Sequence, residues 1–230
     1  MIDANTIVWE GAKDAAYANL YYDVDGGIEA GADNKLSFDK RFDLKKTTLT
    51  DAQLAILDAK DRKLKEWTAF SLPSGVDIKT LLKGELIAVS TDSKGIIDRG
   101  TKVQTAKALD AVYADKASTL EYGAIVSDSG VNFRLWAPTA QSVKVVIYNA
   151  NKEAVSTNDM TFDSASGSWS YAGAADLKGM YYRYQMTVYH PLTRKLESYE
   201  VTDPYSLSLS MNSEYSQVVD LNDAALKPEG

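Results

Sequence analysis

One histidine, no cysteine and 32 acidic residues bound the chemistry open to this 230-residue chain. A Ser-His-Asp relay would have to run through His190. That residue sits in "VYHPLTRK", a strand end entering a turn, and reads as a structural or surface residue. Without cysteine there is no disulfide, no thiolate nucleophile and no Cys-ligated metal. A single histidine excludes a multi-His centre. Two carboxylates held across a cleft could hydrolyse a glycosidic bond, but with 32 acids such pairs are easily nominated and mean little. "DVDGG", Asp23 to Gly27, begins like a calcium loop. The fifth and twelfth positions, where an oxygen ligand and a Glu are wanted, are Gly27 and Asn34. The stretch reads as an Asp-Gly turn, and no metal site is expected.

Charge and hydropathy exclude further classes. The net charge is −7, whereas phosphate binding wants clustered Lys and Arg. The basic run from Lys60 to Lys65 is interrupted by acids and reads as a solvated helix face, so nucleic acid is not expected as a partner. No apolar run approaches the 18 residues of a membrane span. "MIDANTIVWE" lacks the basic flank and apolar core of a signal peptide.

The elements that position these residues are mainly strands. From Tyr122 onward, β-branched and aromatic runs recur about every 8–12 residues, which predicts a sandwich of six or so strands. In "VNFRLW", Val131, Phe133 and Leu135 share one face; after the Pro138-Thr139 corner, "VKVVIY" reads as the next strand. "GMYYRYQMTVY" alternates with Met180, Tyr182, Tyr184, Met186 and Val188 on one side. The first half is mixed. Strands are predicted in "NTIVWEG", "YANLYYDVD", "GELIAVST" and "GIIDRGTKVQ". A Thr50–Gln53 capping box opens a helix over 51–66, a shorter helix runs from Asp77 to Gly84, and a third spans 106–120. The expectation is a mainly β chain of two domains: a mixed, mostly-β domain with short helices over 1–121, and an immunoglobulin-like β-sandwich over 122–230.

"GVNFRLWAPTAQSVKVVIY", "LKGMYYRYQMTVYHP" and "YEVTDPYSLSLSMNSEYSQVVDL" resemble the family-48 carbohydrate-binding module that precedes the catalytic barrel of many α-glucan-active enzymes. "TIVWEG", "LYYDVD", "WTAFSLPSGVDIKTLLKGELIAV" and "VQTAKALDAVYADKASTLEYGA" are similar to the module lying just before it in bacterial pullulanases. In that family "LKPEG", Leu226 to Gly230, leads into the barrel, so the resemblance implies an excised pair of accessory domains. It implies a parent that is an exported, bacterial α-1,6-glucosidase, with calcium and the catalytic carboxylates in the barrel and no cofactor in this part.

The resemblance also nominates residues. Glycogen-binding members use two tryptophans, a basic residue and an asparagine; these positions fall at Arg183, Tyr199 and Asn212, and no tryptophan stands at the first. Trp169 reads as structural or as an exposed platform for stacking a sugar ring. Arg183 lies opposite the apolar face of its strand, as a sugar contact or a surface ion pair. Trp136, Pro138 and Tyr205 are candidates for packing against the barrel. Trp9 and Trp67 read as core residues of the first domain. Two functions follow: an accessory region that packs on and positions a debranching barrel, or an autonomous module that binds α-glucans.

Overall fold

The computed structural model describes residues 1–33, 35–57 and 61–224. Asn34, the middle of the helix expected over 51–66, and Leu226 to Gly230 fall outside them. The chain is mainly β and divides into two compact units, one of Met1–Asp115 with Tyr189–Leu196, the other of Lys116–Val188 with the chain from Glu197 onward.

The first unit is built on six antiparallel strands: β1 (Thr6–Trp9), β2 (Tyr17–Asp23), β3 (Lys40–Thr47), β4 (Thr68–Ser71), β5 (Glu85–Thr91) and β6 (Ile97–Lys102), in the order β1-β4-β3-β2-β5-β6. β2 and β5 are buried along almost their whole length, which is why "ANLYY" and "ELIAV" read as strands. β3, "KRFDLKKT", was not expected. Only Leu44 in it is buried, so its sequence carries no apolar alternation. It is held instead by ladders to β2 on one side and β4 on the other, with Asn19 Nδ2 donating to Asp43 Oδ1 at 2.7 Å.

The capping box forms: Gln53 N–H donates to Thr50 Oγ1 at 3.2 Å, and Thr50 N–H to Gln53 Oε1 at 3.0 Å. The helix it opens, α1 (Asp51–Ile56), is far shorter than expected. It buries none of its residues, and a short helix without a packed face does not propagate. Leu57 is already extended, and Arg62–Glu66 forms a 3-10 turn. α2 (Ile78–Leu81) is capped by Asp77, whose carboxylate accepts from Thr80 N–H and Oγ1. α3 (Ala106–Ala117) lies where the third helix is expected and ends three residues sooner.

At the "DVDGG" turn the Asp23 carboxylate accepts the amides of Asp25 and Gly26. Gly26 has φ +85°, and a Cβ there would lie 2.6 Å from the Arg194 carbonyl oxygen. Buried Glu85 accepts from Gly27 N–H (2.7 Å), Ile28 N–H (2.8 Å) and Arg194 Nε (2.7 Å). Burial alone would raise its pKa; the donors from Arg194, Ile28 and Tyr189 outweigh that and hold the carboxyl below its ordinary range.

The second unit is an immunoglobulin-like β-sandwich. One sheet joins β7 (Gly123–Ser127), β8 (Gly130–Trp136), β11 (Thr161–Asp163) and β12 (Ser168–Gly173) in the order β11-β12-β8-β7. The other joins β9 (Ala140–Tyr148), β10 (Ala154–Asp159), β13 (Tyr181–His190) and β14 (Lys195–Val201) as β10-β9-β13-β14, with β15 (Ser216–Gln217) also on β13. Trp136 ends a strand of the first sheet and Ala140 begins a strand of the second, so Ala137–Thr139 carries the chain across the sandwich. Val131, Phe133 and Leu135 meet Val143, Val145, Ile147, Tyr182 and Tyr184 in the core. The two core tyrosines donate their hydroxyls to buried Asp203 Oδ2, at 2.8 and 3.3 Å. Burial raises the Asp203 pKa, and these donors with the Tyr205 amide oppose the rise.

Candidate functional site

Strict alternation along β13 sends Tyr182 and Tyr184 inward and leaves Tyr181, Arg183 and Thr187 on the outer surface of the five-stranded sheet. The β9 register places Tyr148 opposite Tyr181. β14 supplies Glu200: Arg183 Nη1 lies 3.2 Å from Glu200 Oε1, Nη2 donates to the Glu200 carbonyl at 2.7 Å, and the Tyr148 hydroxyl donates to the same carboxylate. Tyr215 closes the cluster edge-on, its ring centroid 4.9 Å from that of Tyr148 and 6.4 Å from that of Tyr181, with the Arg183 guanidinium 5.7 Å away. Lys152, in a left-handed turn at φ 67°, holds its ammonium 2.8 Å from the Tyr181 ring centre. Burial first, and then the Glu200 hydrogen bond, push the Tyr148 pKa well up, so this hydroxyl stays a donor. Arg183 Nε is buried and has no partner among the described residues. The patch thus joins three aromatic rings to a guanidinium, an ammonium and one carboxylate. It can stack rings and bond hydroxyls, and its one carboxylate, Glu200, is engaged by Arg183 and the Tyr148 hydroxyl.

Of the nominated residues, only Arg183 lies inside this patch. Ser198 Oγ meets Thr187 Oγ1 at 3.2 Å and Glu200 meets Arg183, so alternation turns Tyr199 to the other face of β14, with Val201. Tyr199 is partly exposed there, its hydroxyl donating to Glu197. Asn212 is exposed and left-handed (φ 60°), three residues before Tyr215. Trp169 is only 7% exposed, because it pairs with the core residue Leu135 and faces inward with it. It packs 5.0 Å from Phe162 and donates its indole N–H to the Ala137 carbonyl at 3.0 Å, so it offers no surface platform. Sequence reasoning missed Tyr148, Lys152, Tyr181, Glu200 and Tyr215. The usable signal was Tyr181, an aromatic on the polar side of a strand whose apolar side was already filled.

A second surface lies near β7. Tyr205 stacks on Tyr122 at 4.9 Å and 23°, and Gly123 (φ +100°) admits the Tyr205 carbonyl 3.1 Å from where a Cβ would sit. These rings, with Leu207 and Leu221 (66% and 64% exposed), line a groove of about 250 Å³. Trp136 is half-buried, its indole N–H donating to the Ser166 carbonyl at 3.0 Å. Pro138 is buried within the sheet-to-sheet corner, so it cannot meet a partner as expected.

A mainly β chain with a non-catalytic aromatic patch on a sandwich has the character of an accessory region with a carbohydrate-binding module. Residues 1–111 match the Pullulanase N2 domain and residues 121–206 match Carbohydrate-binding module 48 (Isoamylase N-terminal domain). The chain belongs to the N-terminal, non-catalytic region of pullulanases, a Pullulanase N2 domain followed by a family-48 module. It is 48% identical over 229 residues to a pullulanase of Klebsiella pneumoniae, covering 100% of this chain and 21% of that protein. It is 36% identical over 167 residues to the chloroplastic pullulanase 1 of Arabidopsis thaliana, covering 73% and 17%. A crystal structure of the Klebsiella pneumoniae pullulanase complexed with maltotriose superposes with a TM-score of 0.94 at 50% identity, over 100% of this chain and 21% of that one. The chain therefore spans about a fifth of the length of the Klebsiella relatives.

Proposed function

We propose that this region packs on and positions the catalytic barrel of a pullulanase-type α-1,6-glucosidase acting on branched α-glucan. The groove of Tyr122, Tyr205, Leu207 and Leu221 carries the reading, because it leaves two leucines exposed beside a stacked tyrosine pair, rimmed by Glu121, Gln217, Asp220 and Asn222, as an apolar strip with a polar rim that a neighbouring domain would cover. On this reading the catalytic carboxylates and calcium belong to the barrel. Among the described residues no group of three His, Cys, Asp or Glu is placed to hold a metal ion. The resemblance alone supports export of the bacterial parent; no helix among the described residues is long and apolar enough to cross a membrane. The test is association of this region with separately produced barrel, followed by sedimentation and calorimetry. Leu207→Asp should weaken it at least tenfold, and unchanged association would overturn the reading.

A second reading, α-glucan binding by the sandwich, is favoured by the Arg183–Tyr215 patch, the family-48 match, and the maltotriose complex of the Klebsiella relative. Titration with maltoheptaose should saturate, and Tyr215→Ala should weaken it at least fivefold; an unaltered isotherm would remove the patch from consideration.

A further inference from the structure

Alternation along β2 turns Ala18, Leu20 and Tyr22 to one face of the first unit's sheet and Tyr17, Asn19 and Tyr21 to the other. The chain between β2 and β3 covers one end of that second face. Ile28 and Leu36 pack with Tyr21 and Val89, and Phe38 meets the Tyr21 ring edge-on at 4.8 Å. The other end is a cleft of about 550 Å³, within the size range of small-ligand sites, with Tyr17, Asn19, Arg41, Asp43 and Thr91 in its lining. Tyr17 is 59% exposed, and no aromatic or cationic group among the described residues occupies its ring face.

Strand register sets polar groups beside that ring. Asn19 stands opposite Asp43 on β3, and Tyr17 opposite Thr91 on β5. Asp43 Oδ1 accepts from the buried Asn19 Nδ2 at 2.7 Å and lies 3.3 Å from Arg41 Nη2, while Oδ2 has no partner among the described residues. A carboxamide, a carboxylate and a guanidinium thus lie side by side, the last two exposed. The charged groups of the lining are Arg41, Lys46 and Asp43. Arg41 is paired with Asp43 and the Lys46 ammonium donates to the Lys13 carbonyl at 2.9 Å, so both cations are already engaged, and the exposed carboxylate would repel an anion. A purely apolar ligand would strip water from Asp43 and Arg41 and return no hydrogen bond. A sugar ring meets both demands: its C–H face can lie on Tyr17 while neighbouring hydroxyls donate to the carboxylate and accept from the guanidinium. We infer that this face of the first unit is a second carbohydrate site, holding a short α-glucan against Tyr17 with Asp43 and Arg41 on its hydroxyls. The choice of an α-linked chain rests on the α-glucan reading of the sandwich given above.

The side-chain N–H signals of Asn19 in the intact region report the site, because Asn19 is bonded to the carboxylate the sugar would engage. With Tyr215→Ala present to disable the sandwich patch, maltoheptaose should still shift them saturably. Adding Tyr17→Ala, at an exposed position, should weaken that response at least fivefold, and Tyr17→Phe should hold it within threefold. A response unaltered by Tyr17→Ala would overturn the inference. So would the same shift produced by inorganic phosphate at a lower concentration, which would mark an anion site. Static Asn19 signals while the wild-type region saturates through Tyr215 would overturn the inference and leave the sandwich reading standing. Absence of any response of the wild-type region to maltoheptaose would overturn both.

Discussion

The two units treat the polar ends of their aromatic residues differently. In the sandwich, Trp136 and Trp169 donate to carbonyls, Tyr182 and Tyr184 share Asp203, and Tyr148 is bound to Glu200. In the first unit, Trp9 and Trp67 keep open donors, and the Tyr113 hydroxyl is buried with no partner among the described residues. Satisfied buried polar groups fix one arrangement of a core, whereas an unsatisfied one costs stability unless something else meets it. The sandwich core is closed on itself; the first unit leaves these donors unengaged.

The sharpest way to break that contrast is Asp203→Ala. It leaves two buried hydroxyls without an acceptor and should cost about 4 kcal/mol in equilibrium denaturation. Glu85→Gln tests a fully engaged buried carboxylate of the first unit and should cost about 2 kcal/mol near neutral pH. Its pH dependence has a definite sign. The folded-state pKa of Glu85 lies below the unfolded value, so its contribution is present above the unfolded pKa and lost as pH falls through the folded one. Wild type and Glu85→Gln should therefore converge in denaturation midpoint as pH falls below the ordinary glutamate range, which a denaturation series in pH steps would show. Thr50→Ala removes the N-cap of α1 and should cost about 1 kcal/mol. The smallest and most telling pair is tyrosine to phenylalanine. Tyr182→Phe should cost about 1 kcal/mol, while Tyr113→Phe should fall within about 0.5 kcal/mol of wild type or above it. Burial pushes the Tyr113 hydroxyl up to about 12, so it stays neutral throughout such measurements.

The sandwich was legible because its strands alternate: the inward sets on β8 and β13 are the observed core. β3 was not, because cross-strand pairing holds five charged residues in register where periodicity sees none. α1 was overextended because a cap fixes where a helix starts, and only packing decides how far it runs. Among the site residues, Arg183 came from the resemblance, but its partners Glu200, Tyr148 and Tyr215 are brought in by sheet register and a late turn, which spacing along one chain does not reveal. Trp169 was ambiguous until its pairing with Leu135 fixed its face.

The path of the chain bears on how this region can be inherited. The first unit leaves off at Asp115 and returns for the eight residues Tyr189–Leu196, with Arg194 among them. A gene split at codon 121 would therefore yield a first product lacking the cation of Glu85, and a second carrying a hairpin tip with no carboxylate to receive it. Recombination that shuffles these modules between enzymes should move them as one cassette.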